Sequence, residues 1–192
     1  MSRIVILCES IVGHLASIGS PIGKLLRPPL TSDQLKLLEG DLPLVLPLSC
    51  LEMYTWRNGT ELLQGSTFFP WWVFDQIGES IQRYRTLLTA GQSSWNVDWF
   101  PLFSASDISA IGIQCGKCQE SDGSIYCFDY LGESRKEFDS LESMLETILV
   151  ACKEGGIFWN VKEAELDIDE KAFARVAARL NPDCPKWRSM ET

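Results

Sequence analysis

The spacing of apolar residues changes twice along the chain, and this change constrains the fold more than any other feature. In residues 2–58, and again after residue 139, apolar side chains recur at intervals of three and four, the period of helices packed on one face. Residues 99–131 instead contain three short segments, "WFPLFSA", "AIGIQCGKC" and "SIYCFDYL", that are typical of strands. The sequence therefore predicts helices at both ends and strands between them.

The N-terminal helices have recognisable ends. Thr31 and Gln34 form a capping-box pattern that begins one helix, and Pro47 suits the first turn of the next, where its missing N–H is no loss. Asn58 and Gly59 favour the end of that helix, because both residues tolerate the left-handed backbone conformation. The first helix is predicted from an apolar stripe at Ile4, Leu7, Ile11, Leu15 and Ile18.

The middle stretch begins with the aromatic segment "TFFPWWVF", which predicts a short strand or loop interrupted by Pro70. Asp75 is then expected to cap a helix. The apolar face of that helix is formed by Ile77, Ile81, Tyr84 and Leu88. Asp122-Gly123 indicates a hairpin turn between the last two strands. Because both faces of "IYCFDYL" are apolar, we place this strand centrally in an antiparallel sheet.

After residue 139 the pattern is helical again. Asp139 and Glu142 are predicted to form the N-terminal box of one helix, which ends near Gly155. A second helix is predicted over about residues 169–180 and is followed by a short tail that contains Trp187.

The length of 192 residues favours one domain, because a chain of this size buries roughly 70% of its unfolded surface without needing a disulfide or a metal. We expect a domain of residues 1–155, with residues 156–192 forming a C-terminal helical extension packed on the same domain. The charged residues Arg135 and Lys136 are interpreted as part of a solvated loop.

The formal net charge is −9, which repels phosphate backbones and argues against nucleic acid as a ligand. It suits a basic protein partner, although acidity also serves solubility alone. The N-terminal apolar run is interrupted by Glu9, so we predict neither a signal peptide nor a membrane span. Seven cysteines, an odd number, suit free thiols in a reducing compartment. A cytoplasmic protein is therefore expected.

The residues that catalysis and metal binding need are scarce. A single histidine, His14, excludes most triads and histidine-based metal sites within one chain. Cys115 and Cys118 form one C-x-x-C pair without a second pair, so we interpret them as structural, with zinc binding or redox chemistry as alternatives. We expect no enzyme activity and no cofactor.

The seven tryptophans are candidates for core packing or for interface anchors. Trp71 and Trp72 are adjacent, so in an extended segment they face opposite ways and only one of them can point inward. An outward-facing indole is an interface candidate. The residues predicted to lie near a partner-facing surface are Arg57, Trp72, Asp75 and Asp98.

Three features in this order resemble the SUKH superfamily, which includes the Smi/Knr cell-wall assembly regulators. "LTSDQLKLLE" is followed by a Leu-Pro and by "EMYTWRNG", then by "WNVDWFPLFSASD", and finally by the helix "DSLESMLETIL". The positions that match the family pattern are Glu39, Leu46, Pro47, Tyr54, Asn58, Gly59, Trp99 and Pro101. The resemblance covers roughly residues 24–150.

The resemblance implies an α+β fold, with a twisted antiparallel sheet flanked by N-terminal and C-terminal helices. It also implies a non-enzymatic role. Bacterial members look like immunity proteins that bind and neutralise a toxin, often a nuclease, and the acidic charge of this chain suits a basic toxin domain. The alternative that the resemblance offers is a scaffold or regulator of cell-wall or envelope assembly.

Overall fold

The computed structural model describes residues 1–40, 42–89, 94–106, 109–116, 123–129, 131 and 133–190. The helices are α1 (Arg3–Ser17), α2 (Ile22–Leu25), α3 (Ser32–Glu39), α4 (Leu48–Trp56), α5 (Ile77–Thr89), α6 (Leu141–Lys153), α7 (Glu170–Leu180) and α8 (Pro185–Ser189). The strands are β1 (Thr67–Phe69), β2 (Trp72–Phe74), β3 (Trp99–Ser104), β4 (Ala110–Gln114), β5 (Ile125–Phe128), β6 (Ser134–Phe138), β7 (Ile157–Asn160) and β8 (Glu165–Ile168).

Strands β1 to β6 form one curled antiparallel sheet in chain order. Strands β7 and β8 form a separate antiparallel hairpin. Because helices precede and follow this sheet, the predicted α+β class is confirmed. β5 pairs with β4 on one side and with β6 on the other, so it lies inside the sheet as predicted.

Side chains of the sheet alternate between two hydrophobic clusters, as the period of a strand requires. On one face, Ile111 of β4 and Cys127 of β5 join the main core, which also includes the buried faces of α1, α4 and α6. On the other face, Ala110 and Phe128 belong with Trp95 to a smaller cluster that also includes Leu87 of α5. The sheet is therefore buried on both sides.

Most helix predictions agree with the structure. The apolar stripe of α1 is buried up to Leu15, and Ile18 forms the C-cap. Thr31 and Gln34 form the predicted capping box of α3. In α5 the prediction misplaced one residue, because Leu87 rather than Leu88 is buried. Among the helices of the described residues, none is both long and apolar enough to cross a membrane.

The N-terminus of α6 differs from the prediction. Ser140 and Ser143 form its capping box through two reciprocal hydrogen bonds. Asp139, predicted to cap the helix, instead pairs with the Lys136 ammonium at 2.8 Å. Ser140 lies directly before the first helical residue, so its side chain is closer to the free backbone amides than that of Asp139. Asp139 is therefore available for the ion pair.

Three strands were not predicted. β6 is the edge strand that contains Arg135 and Lys136, so the interpretation of these residues as a loop is wrong. Polar residues suit an edge strand, which explains why the apolar pattern missed it. β7 and β8 add a pair of strands to residues 156–192, for which a helical extension was predicted. Their inward residues alternate, with Trp159 opposite Leu166 in the pairing.

The C-terminal extension packs against the rest of the chain at several places. α7 lies against α6, and β8 lies near β1. Trp187 of α8 contacts the rings of Phe138 in β6 and Phe173 in α7, with centroids 5.7 and 5.4 Å away. One edge of the curled sheet therefore lies near the β7–β8 hairpin, and the other contacts α8.

Candidate functional site

The Tyr54–Gly59 motif contains the end of α4 and also connects this helix to α5. α4 ends at Trp56, and Arg57 has an extended backbone. The Asn58 side-chain oxygen accepts a hydrogen bond of 3.0 Å from the backbone amide of Ile77, the first residue of α5. This corrects the prediction that Asn58 closes α4, because its amide group serves the N-terminus of the later helix instead.

Gly59 has the predicted positive φ, 78°, but it is needed for a close approach between chain segments. A Cβ atom at this position would lie 2.4 Å from the backbone nitrogen of Gln76. The Gly59 carbonyl accepts from the Arg27 amide at 2.9 Å. We call the contact between residues 58–59 and 75–77 the Asn58–Gly59 joint.

Asp75 belongs to this joint and is buried, with 2% of its surface exposed. Its oxygens accept hydrogen bonds from Ser104 Oγ at 2.6 Å and from Arg83 Nε at 3.2 Å. Burial raises the pKa of Asp75, and the contacts with Ser104 and Arg83 oppose that rise only in part. The structure therefore corrects two expectations, that Asp75 caps α5 and that it lies at a partner-facing surface.

The other motif positions contribute mainly to packing. Leu46, Pro47 and Tyr54 are buried, and Pro47 stands directly before α4 rather than in its first turn. The Tyr54 hydroxyl is 3.0 Å from Ser80 Oγ, which ties α4 to α5. Glu39, the last residue of α3, is half-buried.

Trp99 and Pro101, the motif positions in β3, are both buried. Trp99 Nε1 donates to the side chain of Gln114 at 2.7 Å. The indole stacks on Tyr126 with ring centroids 4.3 Å apart. These contacts hold β3, β4 and β5 together on one face of the sheet.

The remaining predicted surface residues do not form one cluster. Arg57 is half-buried, and its guanidinium lies 5.6 Å from the centroid of the Trp56 ring. Asp98 is exposed directly before β3, whereas Trp72 is half-buried in β2, which pairs with the opposite end of β3. Of these residues only Trp72 lines the cleft between the β1–β2 hairpin and β6.

Nothing in the described residues indicates a reactive or metal-binding role for the cysteines. Six are free and buried, and burial raises the pKa of the Cys115 thiol to about 12. Among the described residues, no group of three or more histidine, cysteine, aspartate or glutamate side chains is arranged to hold a metal. Cys118, the second residue of the C-x-x-C pair, lies outside the described residues.

A cleft of about 320 Å³ lies between the β1–β2 hairpin and β6, and we call it the aromatic cleft. Ile111 and Cys127 of the inner strands line it, together with Trp71 and Trp72 of the hairpin. The C-terminal extension completes it. The aromatic side chains contributed by β6 and by the extension are Phe138, Phe173 and Trp187.

Glu137 of β6 lines the aromatic cleft and is 4% exposed. The Lys186 ammonium donates to both of its carboxylate oxygens at 2.7 Å, and Arg135 Nε donates to one of them at 2.8 Å. Trp187 Nε1 donates to the Glu137 carbonyl, and the Lys186 ammonium lies 4.1 Å from the centroid of the Trp187 ring. These contacts attach α8 to β6.

The chemistry of the cleft suits binding. Among the described residues that line it there is no histidine, and burial raises the pKa of the Cys127 thiol to about 12, so this thiol stays protonated at neutral pH. The Glu137 carboxylate is already neutralised by two cations. A nucleophile paired with a general base, which covalent catalysis requires, is therefore not formed by these side chains.

Trp71 occupies the turn between β1 and β2 at the rim of the cleft. Its φ is 71°, and its side chain is 56% exposed. A positive φ is a genuine outlier for a residue of this size. The prediction that one of the two adjacent tryptophans points outward agrees with this geometry, but the exposed one is Trp71 rather than Trp72.

An acidic and apolar surface adjoins the cleft, and we call it the hairpin surface. It consists of the loop 61–65 and the outer side of the β7–β8 hairpin, which touch where Gln64 donates to the Glu163 carbonyl at 3.4 Å. Its exposed apolar side chains are Leu62, Leu63, Phe158 and Val161. Its carboxylates are Glu61, Glu163, Glu165 and Asp167.

The sequence prediction did not include Glu137 or the hairpin surface, and of the two adjacent tryptophans it chose Trp72 rather than the exposed Trp71. For the hairpin a signal was present, because Ile157 and Trp159, and then Leu166 and Ile168, alternate with outward residues. For Glu137 no local signal exists, since Lys186 lies far along the chain from it.

Taken together, the geometry is that of an α+β domain with a curled antiparallel sheet and an open aromatic cleft at its edges. The chain belongs to the SMI1 / KNR4 family (SUKH-1), whose model matches residues 29–147. This confirms the resemblance found in the sequence motifs. No curated protein matches the chain. The family region includes β1 to β6, whereas the whole of the extension that completes the cleft lies outside it.

Proposed function

We propose that the protein is a non-enzymatic, immunity-type protein that binds and neutralises a toxin domain with a basic surface. The observation that carries this proposal is the hairpin surface, which combines the exposed carboxylates Glu61, Glu163 and Glu165 with exposed apolar side chains next to the aromatic cleft. Carboxylates attract and orient a basic partner, and desolvated apolar anchors supply most of the affinity. The SMI1 / KNR4 family is compatible with this role.

The overall charge supports the same partner class. A net charge of −9 attracts basic proteins and disfavours nucleic acid, because the field of the whole molecule acts on association beyond single contacts. Nuclease toxins bind phosphate through basic surfaces, which an acidic protein can occupy. The role requires no cofactor.

We also place the protein in the cytoplasm. The six described cysteines are free and buried, an arrangement that suits a reducing compartment. A cytoplasmic immunity protein meets its toxin where a nuclease would find its substrate.

The test uses the purified product of a toxin gene that lies beside the gene for this protein. We expect a complex in a pull-down, protection of growth when the two proteins are co-expressed, and an affinity that falls as NaCl concentration rises. The proposal fails if none of the toxins encoded nearby binds the protein and none is neutralised by it.

Charge reversal shows whether the hairpin surface makes the contact. Glu165→Lys, at an exposed carboxylate of β8, should weaken toxin binding at low salt by about tenfold, mainly through slower association. Asp33→Lys, at an exposed carboxylate of α3 away from the hairpin, is the matched control and should leave binding unchanged. Equal effects of the two changes would show that only net charge matters.

A further inference from the structure

The backbone of Trp71 points to a role for its exposed indole. The turn between β1 and β2 needs a positive φ at this position, which glycine adopts freely and tryptophan adopts only at a cost. Strain of this kind tends to occur at binding sites, where the side chain is needed in a fixed place. Trp71 is also more than half exposed, so packing in the core does not explain it.

The walls of the aromatic cleft are held in place by contacts of their own. Trp72 stacks on Phe69 with centroids 6.2 Å apart and ring planes 19° from parallel. Trp187 is fixed by its hydrogen bond to the Glu137 carbonyl and by packing on Phe173. Rigid aromatic walls accept a ligand group without the entropic cost of ordering them.

The size and polarity of the cleft determine which kind of chemical group it can bind. Its volume of about 320 Å³ is at the lower end of the range for small-molecule sites, roughly 300–1,000 Å³, so it suits one large side chain. Because Glu137 is already paired with Lys186 and Arg135, the buried carboxylate of the cleft is neutralised and gives no reason for a charged group to enter, whereas the exposed Glu170 lies at the rim. An apolar or aromatic group therefore fits best.

The charged residues around the cleft indicate the charge of the partner segment that carries the apolar or aromatic group. Glu170 lines the cleft and is exposed, and Asp169 directly precedes it. Ile168, another lining residue, ends β8 and so connects the cleft to the carboxylates of the hairpin surface. A basic segment is electrostatically complementary to this rim.

We propose that the aromatic cleft, with Trp71 at its rim, receives one aromatic or branched apolar side chain presented by a basic segment of the protein partner. This rests on the proposed function in so far as the partner is the toxin domain. The indole of Trp71 covers the inserted side chain, while the carboxylates around Ile168 contact the flanking basic residues.

The first experiment separates binding from stability. Trp71→Gly should raise the melting temperature, because glycine relieves the positive φ, and should weaken binding to the toxin by about tenfold or more. Trp71→Asn, which also tolerates this backbone, should weaken binding similarly and guards against a folding defect of the first variant. Leu37→Ala, at an exposed leucine of α3, is the matched control and should not change binding.

The second experiment needs no toxin. Nuclear magnetic resonance of the full chain, with indole and p-cresol as probes, should show saturable shifts of the Trp72 and Trp187 indole N–H signals. n-Butylamine should leave these signals unchanged. The Trp71→Gly variant should bind indole and p-cresol more weakly than the native protein does.

The outcomes distinguish the two proposals. If the toxin binds Trp71→Gly as tightly as the native protein, the cleft is not its contact, although the proposed function stands. If no nearby toxin binds but indole saturates the cleft, the proposed function fails and the cleft remains an aromatic side-chain site. If neither indole nor p-cresol shifts the two signals, or n-butylamine shifts them equally, the inference is overturned.

Discussion

The Asn58–Gly59 joint and the aromatic cleft each contain a buried carboxylate paired with at least one basic side chain, yet they differ in access. Asp75 in the joint is paired with Arg83, whose side chain is only 17% exposed, and with Ser104. Glu137 at the cleft is paired with Lys186 and Arg135, which are 25% and 45% exposed. The joint is closed to a partner, and the cleft is open to one.

The two regions also differ in which parts of the chain build them. Every residue named in the joint, apart from Arg27, falls within the family region 29–147. The cleft combines strands from that region with Lys186 and Trp187, which lie beyond it. The joint therefore belongs to the part of the fold that the family shares, whereas the cleft also depends on the extension.

The largest expected effect tests the closed packing of the joint. Gly59→Ala would place a Cβ atom 2.4 Å from the Gln76 backbone nitrogen, at a φ of 78°. Backbone strain and overpacking together should lower the free energy of unfolding by about 2–5 kcal/mol. Urea denaturation measures the loss.

Gly155 provides the matched control for this change. It has the same φ of 78° but no heavy atom within 4 Å of a Cβ at that position. Gly155→Ala should therefore cost only about 1–2 kcal/mol, the cost of the backbone conformation alone. Similar losses for the two variants would contradict the close approach of the chain at Gly59. The joint could then no longer be contrasted with the cleft as a closed region.

A smaller effect tests the attachment of α8 at the cleft. Lys186→Met removes two of the three charge-assisted hydrogen bonds to Glu137. Because Arg135 still neutralises this carboxylate and solvent screens a partly exposed pair, the loss of unfolding free energy should be about 1–3 kcal/mol. Thermal or urea unfolding measures it.

Arg3→Met is the control for the loss of an exposed cation. Arg3 pairs with Glu142 and Glu146, and all three side chains are 39% to 51% exposed. Such pairs contribute about 0–1 kcal/mol. A Lys186→Met loss no larger than this would show that Trp187 attaches α8, through its ring contacts and its hydrogen bond to the Glu137 carbonyl.

How far the sequence predicts this structure depends on the range of the interactions. Capping at Thr31 and the stripe of α1 are local, so the sequence predicted them correctly. Asn58 looked like a helix end because its hydrogen-bond partner, Ile77, lies in another element. β6 looked like a loop because its charged residues are satisfied by Asp129 and by the distant Lys186.

The candidate site was only partly predictable for the same reason. Alternation along "PWWVF" required one outward tryptophan, but the turn at Trp71 determines which one is exposed. The cleft itself joins β1, β2 and β6 with the C-terminal extension, and no local pattern in the sequence places these segments together.

The smallest effect is a pH dependence that tests the burial of Asp75. Burial raises the pKa of this carboxyl group above its ordinary value of 3.8, so the folded state holds the proton more tightly than the unfolded state does. The group therefore adds stability below its unfolded pKa, and this contribution is lost as pH rises through the folded-state pKa.

Asp75→Asn removes this titration and provides the measurement. The unfolding free energy of the native protein minus that of Asp75→Asn should fall as pH rises from about 3.8 and then level off, because only the native side chain loses a proton in this range. Ser104→Ala should move the fall to higher pH, since the Ser104 hydrogen bond lowers the pKa of Asp75. A difference that rises with pH would mean that Arg83 outweighs burial, and the joint would then depend on charge as the cleft does.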